Sequence, residues 1–212
     1  MCTGRVDLSF ILRAFTNGTD GVFIGGCLLG ECHYITEGNY LTLSMVHLCR
    51  KLMERIGVNP ERLRIEWISA SEGFRFAEVM NDFSKKLKAI GPIGKGEGID
   101  GSELKFKLEA IKNLIPYIKL VERERLRVPV KSEEAYNKFF TSDEVDRLFQ
   151  ELIDDKLAMS EIMLLLRERP RSTGEISEIL GLNASEVSKY LSTSARQGLI
   201  KLDASMKRFV PA

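Results

Sequence analysis

The sequence lacks long apolar runs, an excess of one charge and a dense set of cysteines, and each shortage narrows the classes of protein to which it can belong. No stretch of about 18 apolar residues is present, and no basic-then-apolar leader opens the chain, so we expect a cytoplasmic protein without membrane partners. The formal net charge of +1 gives no general attraction to nucleic acid or anionic lipid. With only four cysteines in a reducing compartment, a disulfide framework is not expected, and clustered thiols indicate metal binding or redox chemistry.

Length and composition favour two modules, each able to bury a core. The 212 residues exceed the roughly 100–200 residues of one ordinary domain, and 44% of them are hydrophobic. The first part of the chain alternates between helical and extended patterns, in the order VDLSFILRAF, VFIGG, NYLTLSMVHLCRKLMERIG, RLRIEWIS and SEGFRFAEVMNDFSKKLKAIG. This order of helix, strand, helix, strand and helix predicts right-handed crossovers and a small parallel sheet covered by helices. Asp7 and Ser71 are the predicted caps of the first and third helices.

Two strands are few for the core of a parallel sheet. We therefore expect residues 1–92 to form a Rossmann-like or flavodoxin-like α/β domain that lacks its first βα unit. On this interpretation residues 1–5 are the end of a strand and the turn into the next helix, and the missing unit would lie upstream of Met1.

In open α/β sheets, ligands bind in the loops that follow the carboxyl ends of the strands. Three such loops are predicted, at residues 2–5, 26–33 and 69–73. They should meet at one edge of the sheet and bring together the thiols of Cys2, Cys27 and Cys32. Thiolates on glycine-rich loops are suited to an iron–sulfur cluster or to zinc, for which His33 would be a fourth ligand. Small buried cysteines in tight turns are the alternative.

The remaining cysteine and the histidines are assigned to packing rather than to metal binding. Cys49 lies on the apolar stripe of its helix, where a free cysteine behaves as a small hydrophobic residue. His47 is expected at the surface or in packing contacts. The same is expected of His33, unless the site holds zinc and His33 is its fourth ligand.

Four motifs, in order along the first 92 residues, resemble one known family. They are the Cys-Thr-Gly-Arg turn, the Gly-Cys-x4-Cys-His-Tyr loop, the Gly-Asn-Tyr triplet and the Glu-Trp-Ile-Ser-Ala-Ser-Glu-Gly strand and turn. Together they are similar to the iron–sulfur delta subunit of methyl-viologen-reducing hydrogenase. This resemblance implies a [2Fe–2S] cluster with Cys2, Cys27 and Cys32 among its ligands. It also implies electron relay between a hydrogenase or formate dehydrogenase and the A-type flavoprotein of a heterodisulfide-reductase-like complex.

The sequence departs from the family pattern in two places near the cysteines. Family members carry an upstream strand and a Cys-x-x-Cys turn, which nothing before Cys2 supplies. Because such a turn can hold selenocysteine, whose codon is read as a stop, we expect an in-frame cysteine-rich segment in the DNA upstream of Met1. The His-Pro-Gly-Asp of the family's cysteine loop is replaced by Leu-Leu-Gly-Glu at residues 28–31, which predicts a changed potential or docking surface.

Four residues beside the cysteines are expected to tune the cluster without binding it. Arg5 stands at the start of a helix next to the first cysteine, where its charge would favour the reduced, more negative cluster. Ser69, Ser71 and Gly73 belong to the next strand-end loop, whose hydroxyl and amide donors can point at cluster sulfurs. The alternative is structural, with Ser71 as a helix cap and Arg5 paired with Asp7.

Residues 93–156 are predicted to form a glycine-rich linker followed by connector helices. The stretch IGPIGKGEGIDGSE has the composition of a flexible linker. The stretch SELKFKLEAIKNLIPYIKLVERERLR predicts a helix that is bent or broken near Pro116. Its apolar side is expected to contain Leu104, Leu108, Ile111, Ile115 and Ile118. A capping box from Thr141 to Glu144 begins a second helix.

Residues 157–212 have the pattern of a winged helix-turn-helix. LAMSEIMLLLRERP, STGEISEILGL and NASEVSKYLSTSARQGLI predict three helices, and KLDASMKRFVPA predicts a short β wing. The predicted core comprises Ile176, Ile179, Leu180, Val187, Leu191 and Leu199. The residues that could face DNA or a partner are Ser185, Ser188, Lys189, Tyr190, Arg196, Lys207 and Arg208. These cations are few for a DNA reader, so a protein-docking module is an equal alternative.

Two functions follow from these features. The favoured one is a redox subunit whose C-terminal region docks it in a larger complex. The other is a transcription regulator that senses redox state through its cysteines and binds DNA through the winged helix. Neither a nucleophile–base pair nor a phosphate-binding glycine loop is visible, so the chain alone is expected to catalyse no reaction.

Overall fold

The computed structural model describes residues 2–212, which contain both helices and short strands. In chain order these are α1 (Leu8–Thr16), β1 (Val22–Gly26), α2 (Gly38–Arg55), β2 (Leu63–Trp67), α3 (Gly73–Ile90), α4 (Gly101–Arg125), α5 (Glu133–Phe140), α6 (Asp143–Phe149), α7 (Asp155–Glu168), α8 (Thr173–Leu180), α9 (Ala184–Arg196), β3 (Ile200–Asp203) and β4 (Arg208–Pro211). Within this described part of the chain, none of the helices has both the length and the hydropathy to cross a membrane.

The first two strands form the parallel pair that the sequence predicted. Val22 lies opposite Leu63 and Gly26 lies opposite Trp67, and α2 makes the connection between the strands. The predicted alternation of helices and strands is therefore confirmed. A sheet of two strands does not by itself identify a Rossmann-like or flavodoxin-like fold, and that finer assignment stays a prediction.

The caps of α1 and α3 illustrate how local sequence sets a helix start. The Asp7 carboxylate accepts a hydrogen bond from the Ser9 N–H at 2.9 Å, so α1 begins where predicted. The predicted Ser71 cap is wrong, because Glu72 occupies the position before α3. The Glu72 carboxylate reaches back to the Ser69 N–H at 2.7 Å and so tightens the turn ahead of the helix.

One hydrophobic core extends from Leu8 to Leu157 and includes residues on both sides of the boundary predicted near residue 92. Helix α4 packs against α1, and α5 packs against α2. The apolar side predicted for α4 is buried throughout, at Leu104, Leu108, Ile111, Ile115 and Ile118. The core does not divide where the composition changes, because the connector helices cover the first two helices. The three domain ranges remain predictions.

The glycine-rich segment after α3 is held against the N-terminal half of the protein. Arg62 is fully buried, and it donates from Nε to Glu97 at 2.6 Å and from Nη2 to the second carboxylate oxygen at 3.0 Å. The same guanidinium donates to the Asp20 carbonyl at 2.9 Å. The expectation of a flexible linker is wrong here, because glycine content does not reveal a buried ion pair between residues 35 positions apart.

The connector helices differ from the predictions in their boundaries. Helix α4 continues through Pro116 without a break, and α5 has no counterpart among the predicted helices. Helix α6 is capped by Ser142, whose hydroxyl accepts a hydrogen bond from the Val145 N–H at 3.4 Å. The capping box assigned to Thr141 is therefore wrong. Both residues suit a cap, but Thr141 already ends α5, where its hydroxyl donates to the Asn137 carbonyl at 2.8 Å.

The C-terminal region is a winged helix-turn-helix, as predicted. Helices α7, α8 and α9 surround a second core, and β3 pairs antiparallel with β4. This core contains, among others, Ile162, Leu166, Ile176, Val187 and Leu191. Two predicted core residues are wrong, since Ile179 is 48% exposed and Leu199 is 44% exposed. Ile200, the first residue of β3, is buried where Leu199 was expected.

Candidate functional site

Two of the three candidate ligands lie together at the start of α2. The Cys2 and Cys32 sulfurs are 3.6 Å apart, although 30 positions separate them in the chain. Cys32 is buried, Cys2 is half-buried, and the Gly4 N–H donates to the Cys2 sulfur at 3.4 Å. The short 3₁₀ turn Thr3–Arg5 and the loop after β1 thus meet at the first turn of α2.

Two glycines make this meeting sterically feasible. A Cβ at Gly38 would lie 2.5 Å from the Cys32 sulfur and 2.7 Å from the Cys2 sulfur. A Cβ at Gly4 would lie 2.8 Å from the Gly38 carbonyl oxygen. Real side chains do not approach this closely, so the cysteine pair requires glycine at the first position of α2.

Cys27 stands apart from the pair. It is exposed directly after β1, and its carbonyl accepts a hydrogen bond from the Asn39 amide at 2.6 Å. A turn closed from the Glu31 N–H to the Leu28 carbonyl, at 3.0 Å, separates Cys27 from Cys32. Over residues 2–212, no three His, Cys, Asp or Glu side chains are grouped closely enough to hold one metal ion. The predicted meeting of three sulfurs is therefore found for two of them.

The spacing of the pair fits two thiolates on one metal ion. With thiolate–metal bonds of about 2.3 Å and tetrahedral angles, two sulfurs on one ion lie roughly 3.8 Å apart, close to the 3.6 Å found here. The pair also lies at the N-terminus of the 18-residue helix α2, whose partial positive charge favours thiolates. These two residues therefore fit a thiolate-bound iron–sulfur cluster, with further ligands supplied from outside the pair.

The protonation of Cys32 reflects the crowding of the thiols. The Tyr34 backbone N–H lowers the pKa of Cys32, but burial and the neighbouring thiols of Cys2 and Cys27 raise it by more, so the net shift is upward. A metal ion that binds Cys32 must therefore displace the proton of its thiol. Metal binding at this pair would release that proton.

Cys49 and the two histidines behave as predicted. Cys49 is fully buried in the core, and burial raises its pKa to about 12. His47 stacks on Phe140 with ring centres 5.0 Å apart, and burial lowers its pKa to about 4. His33 is exposed and packs edge to face on Tyr34 at 5.1 Å. In the described chain it does not join the cysteine pair as a metal ligand.

Arg5 is the predicted tuning residue that lies nearest to the pair in the chain. It is exposed at the end of the 3₁₀ turn that follows Cys2. The alternative pairing of Arg5 with Asp7 is wrong, because the Asp7 carboxylate binds Lys119 from helix α4. The Arg5 charge is therefore not neutralised by this acid.

The loop after β2 shows no direct contact with the cysteines. The Ser69 and Ser71 hydroxyls lie 3.1 Å apart, and the Ser71 N–H faces the Ser69 hydroxyl at 3.5 Å. Gly73 is the first residue of α3 and has open space around it. Within residues 2–212, neither serine hydroxyl hydrogen-bonds to a cysteine sulfur. Their tuning role stays a prediction.

The candidate contact residues of the winged helix are partly engaged inside the protein. Tyr190 is buried, and its hydroxyl donates to Asp155 at 2.8 Å, so its predicted position facing a groove is wrong. Burial, followed by the Asp155 hydrogen bond and charge, raises the pKa of Tyr190 to about 12. Lys189 pairs with the other Asp155 oxygen at 2.9 Å. The signal that sequence reasoning lacked is Asp155 itself, on a different helix.

The remaining candidate contact residues carry few unpaired positive charges. Arg208 pairs with Glu175 at 2.9 Å, and the Ser188 hydroxyl donates to the carbonyl four residues earlier. Ser185, Arg196 and Lys207 are exposed. Two of the four predicted cations, Lys189 and Arg208, are thus already paired with carboxylates.

Gly4, Gly38 and Asn39 are site residues that sequence reasoning did not assign. The glycines allow the two cysteine loops to touch, and Asn39 holds the backbone of the third cysteine. Glycine and asparagine are common at helix starts, so nothing in the sequence marks these residues as contacts of the cysteine loops.

Two segments of the chain, one in its N-terminal part and one in its C-terminal part, match known protein families. Residues 1–91 match the family described as methyl-viologen-reducing hydrogenase, delta subunit. Residues 158–201 match the family described as bacterial regulatory protein, arsR family, which agrees with the winged helix-turn-helix found in the structure.

Individual relatives align with the same N-terminal segment. A hydrogenase iron-sulfur protein of Archaeoglobus profundus is 54% identical over 91 residues, which cover 43% of this chain and 66% of that protein. A hydrogenase iron-sulfur protein of Methanopyrus kandleri is 36% identical over 92 residues, covering 43% of this chain and 69% of that protein. The A-type component of a CoB-CoM heterodisulfide reductase from Methanosarcina acetivorans is 46% identical over 94 residues, covering 44% of this chain and only 12% of that protein.

The extent of these matches limits what they establish to the N-terminal segment. The chain spans about two thirds of the length of the hydrogenase iron-sulfur proteins that it matches. By this segment, the chain belongs to the family of methyl-viologen-reducing hydrogenase delta subunits.

Proposed function

We propose that this chain is an electron-transfer subunit that carries a [2Fe–2S] cluster at the cysteine pair. The observation that carries the proposal is the 3.6 Å approach of the Cys2 and Cys32 sulfurs inside the segment that resembles iron–sulfur subunits. A bound cluster would supply one-electron transfer. Cys2 and Cys32 would hold it, and Cys27 would add a third thiolate from its exposed loop.

The surrounding groups of the chain favour added negative charge at this point. The Gly4 N–H donates to the Cys2 sulfur, and the N-terminus of α2 presents its positive end to both thiols. Arg5 adds a charge that no described ion pair neutralises. Ser69, Ser71 and Gly73 are proposed to act through their loop rather than by direct contact. Such donors and charges raise the reduction potential of an anionic cluster.

The names of the relatives indicate the partners that we propose. Those relatives are subunits of hydrogenases and of heterodisulfide reductases. On this basis the chain relays electrons between a hydrogenase or formate dehydrogenase and a flavoprotein like the A-type component of heterodisulfide reductase. The chain alone is expected to catalyse no reaction.

Single cysteine substitutions test the assignment of the ligands. Cys27→Ser and Cys32→Ser should each abolish the iron–sulfur absorption and EPR signals after anaerobic reconstitution with iron and sulfide. The reason is that a serine hydroxyl does not replace a thiolate on a soft metal centre. Cys49→Ser is the matched control and should keep full iron content, because Cys49 is buried in the core. Equal iron content in all three variants would contradict the assignment.

A second candidate function is a redox-sensing transcription regulator. The observation that favours it is the winged helix-turn-helix in the segment that matches the arsR family. In this alternative the cysteine pair senses redox state and helix α9 enters a DNA groove. The paired state of Lys189 and Arg208 argues against it, because these cations would first have to leave Asp155 and Glu175.

The salt dependence of DNA binding separates the two functions. If Arg196 and Lys207, the two unpaired cations among the predicted contact residues, neutralise the phosphates, the logarithm of the association constant should fall with a slope of about −2 against the logarithm of salt concentration. The measurement is fluorescence anisotropy with a duplex from the region upstream of the gene. A dissociation constant of about 10⁻⁸ M or below at physiological salt, changing with oxidation of the protein, would instead establish the regulator.

A further inference from the structure

A long groove opens beside the cysteine pair and has no role in the proposed function so far. It has a volume of about 1140 Å³ and is lined on one side by Gly4, Thr36, Glu37 and Leu41. Gly4 donates its N–H to the Cys2 sulfur, and Glu37 directly precedes Gly38. One end of the groove therefore borders the groups that hold the two thiols.

The opposite wall comes from residues outside the segment that matches the hydrogenase family. It is formed by the C-terminal end of α4 and the loop that follows, including Arg123, Arg127 and Lys131. The family match ends at residue 91. The part of the chain that follows this match thus builds a surface next to the cysteine pair.

The charges along this wall are predominantly positive and solvent-accessible. Arg123 contacts Glu124 at 2.9 Å, but both side chains are at least half exposed, and such pairs contribute little in water. Arg127 is exposed and lies 4.0 Å from the same Glu124. Asp7 and Lys119 neutralise each other, and Glu122 accepts a hydrogen bond from Ser44 at 2.9 Å. Glu37 is an exposed acid at the cysteine end of the groove, away from the cations of α4 and the loop that follows it in the chain.

The floor of the groove supplies apolar and aromatic surface. Tyr40 stacks on Tyr136 with ring centres 5.7 Å apart, and the Lys131 ammonium lies 5.5 Å from the centre of the Tyr136 ring. Leu41 is 52% exposed at the side nearest the cysteines. The volume exceeds the roughly 300–1000 Å³ of a small-molecule site, so its size suits an extended peptide segment.

We propose that this groove docks an acidic segment with apolar anchor residues, carried by the protein that exchanges electrons with the cysteine pair. The cations of α4 and its following loop bind the acidic side chains, and the exposed Leu41 contacts an apolar one. Docking here would bring the partner next to Cys2 and Cys32. This inference rests on the proposed function, since it assumes that the cysteine pair has a redox partner.

The cations also have a structural role that the experiment must separate from docking. Arg123 and Arg125 both lie in the last turn of α4, where positive charge offsets the negative end of the helix. Only Arg123 lines the groove. Arg125 is exposed, so the two arginines give a substitution and a control with the same charge in the same last turn of α4.

The test uses the full chain and two fluorescein-labelled peptides, one of alternating glutamate and leucine and one of alternating lysine and leucine. Fluorescence anisotropy should show tighter binding of the acidic peptide, weakening as salt shortens the Debye length from about 10 Å. Arg123→Glu should weaken acidic-peptide binding about fivefold, and adding Arg127→Glu should weaken it more than tenfold. Arg125→Glu should leave binding within about twofold of the unaltered protein.

Equal binding of both peptides would contradict the proposed docking role of the groove. An equal loss of acidic-peptide affinity in Arg123→Glu and Arg125→Glu would contradict it as well. Thermal melting of each variant is the control that tests whether its fold is intact. Iron content is measured in the same samples, so the two proposals can fail separately. A chain that holds no iron yet distinguishes the peptides contradicts the proposed function, whereas a chain that holds iron and does not distinguish them contradicts the groove.

Discussion

Gly38→Ala is expected to separate the Cys2 and Cys32 sulfurs and to abolish iron uptake at the pair. The new Cβ would lie 2.5 Å and 2.7 Å from the two sulfurs, so at least one cysteine loop must move away from α2. Forcing an extra methyl group into a packed site costs about 1–3 kcal/mol of the free energy of unfolding. Urea denaturation measures this loss, and iron content after reconstitution measures the loss of the site.

Gly101→Ala is the matched control for this change. Gly101 is also the first residue of a long helix, α4, and no other part of the chain comes within 4 Å of the position its Cβ would take. Its replacement should be neutral or stabilise the protein by about 0.4–1 kcal/mol, because alanine restricts the unfolded chain. Full iron content and unchanged stability in Gly38→Ala would mean that the two cysteine loops are not held against α2.

The parts of the fold that could be predicted are those set by local periodicity. The alternation of helix and strand gave the parallel pairing of β1 with β2, and the apolar stripe of α2 gave the burial of Cys49. Helical patterns also located α7, α8 and α9. In each case the residues that decide the outcome lie within a few positions of one another.

The parts that could not be predicted depend on contacts between distant segments. Tyr190 has a sequence position suited to a DNA groove, but Asp155, 35 positions earlier, draws its hydroxyl inward. Cys27 shares a loop with Cys32, yet only Cys2, from a different turn, lies against Cys32. Spacing showed which residues belong to the same sheet edge, and packing against Gly38 decided which of them touch.

The predictions of the cap residues of α3 and α6 were wrong for a different reason. Several neighbouring residues could cap each helix, and local preference does not choose among them. At α6, Thr141 and Ser142 are both suitable, and Ser142 is used because the Thr141 hydroxyl donates to the Asn137 carbonyl at the end of α5. The choice is therefore made by the preceding helix rather than by the cap preference itself.

Arg62→Met is expected to lower the free energy of unfolding by about 3–5 kcal/mol at neutral pH. The substitution fills a similar volume but leaves Glu97 as a buried carboxylate without its guanidinium partner. It also removes the donor to the Asp20 carbonyl, and so releases the glycine-rich segment from the N-terminal half. Arg64→Met is the control, because the partners of Arg64, Glu66 and Asp82, are both more exposed than Glu97, and the substitution should cost at most about 1 kcal/mol.

The pH dependence of the same variant identifies the carboxylate as the cause. In the unaltered protein burial acts to raise the pKa of Glu97, but the hydrogen bond from Arg62 and further backbone donors lower it below its ordinary value of 4.5. The stability that this pair contributes is present above pH 4.5 and is lost as the pH falls through the lower folded-state pKa. In Arg62→Met burial dominates, so protonation of Glu97 on acidification removes a buried charge and partly restores stability. The difference in unfolding free energy between the two proteins should therefore shrink as the pH falls from 7 to below 4.5, as measured by urea denaturation at each pH. A difference that stays constant over this range would assign the loss to packing around the methionine rather than to the unpaired carboxylate.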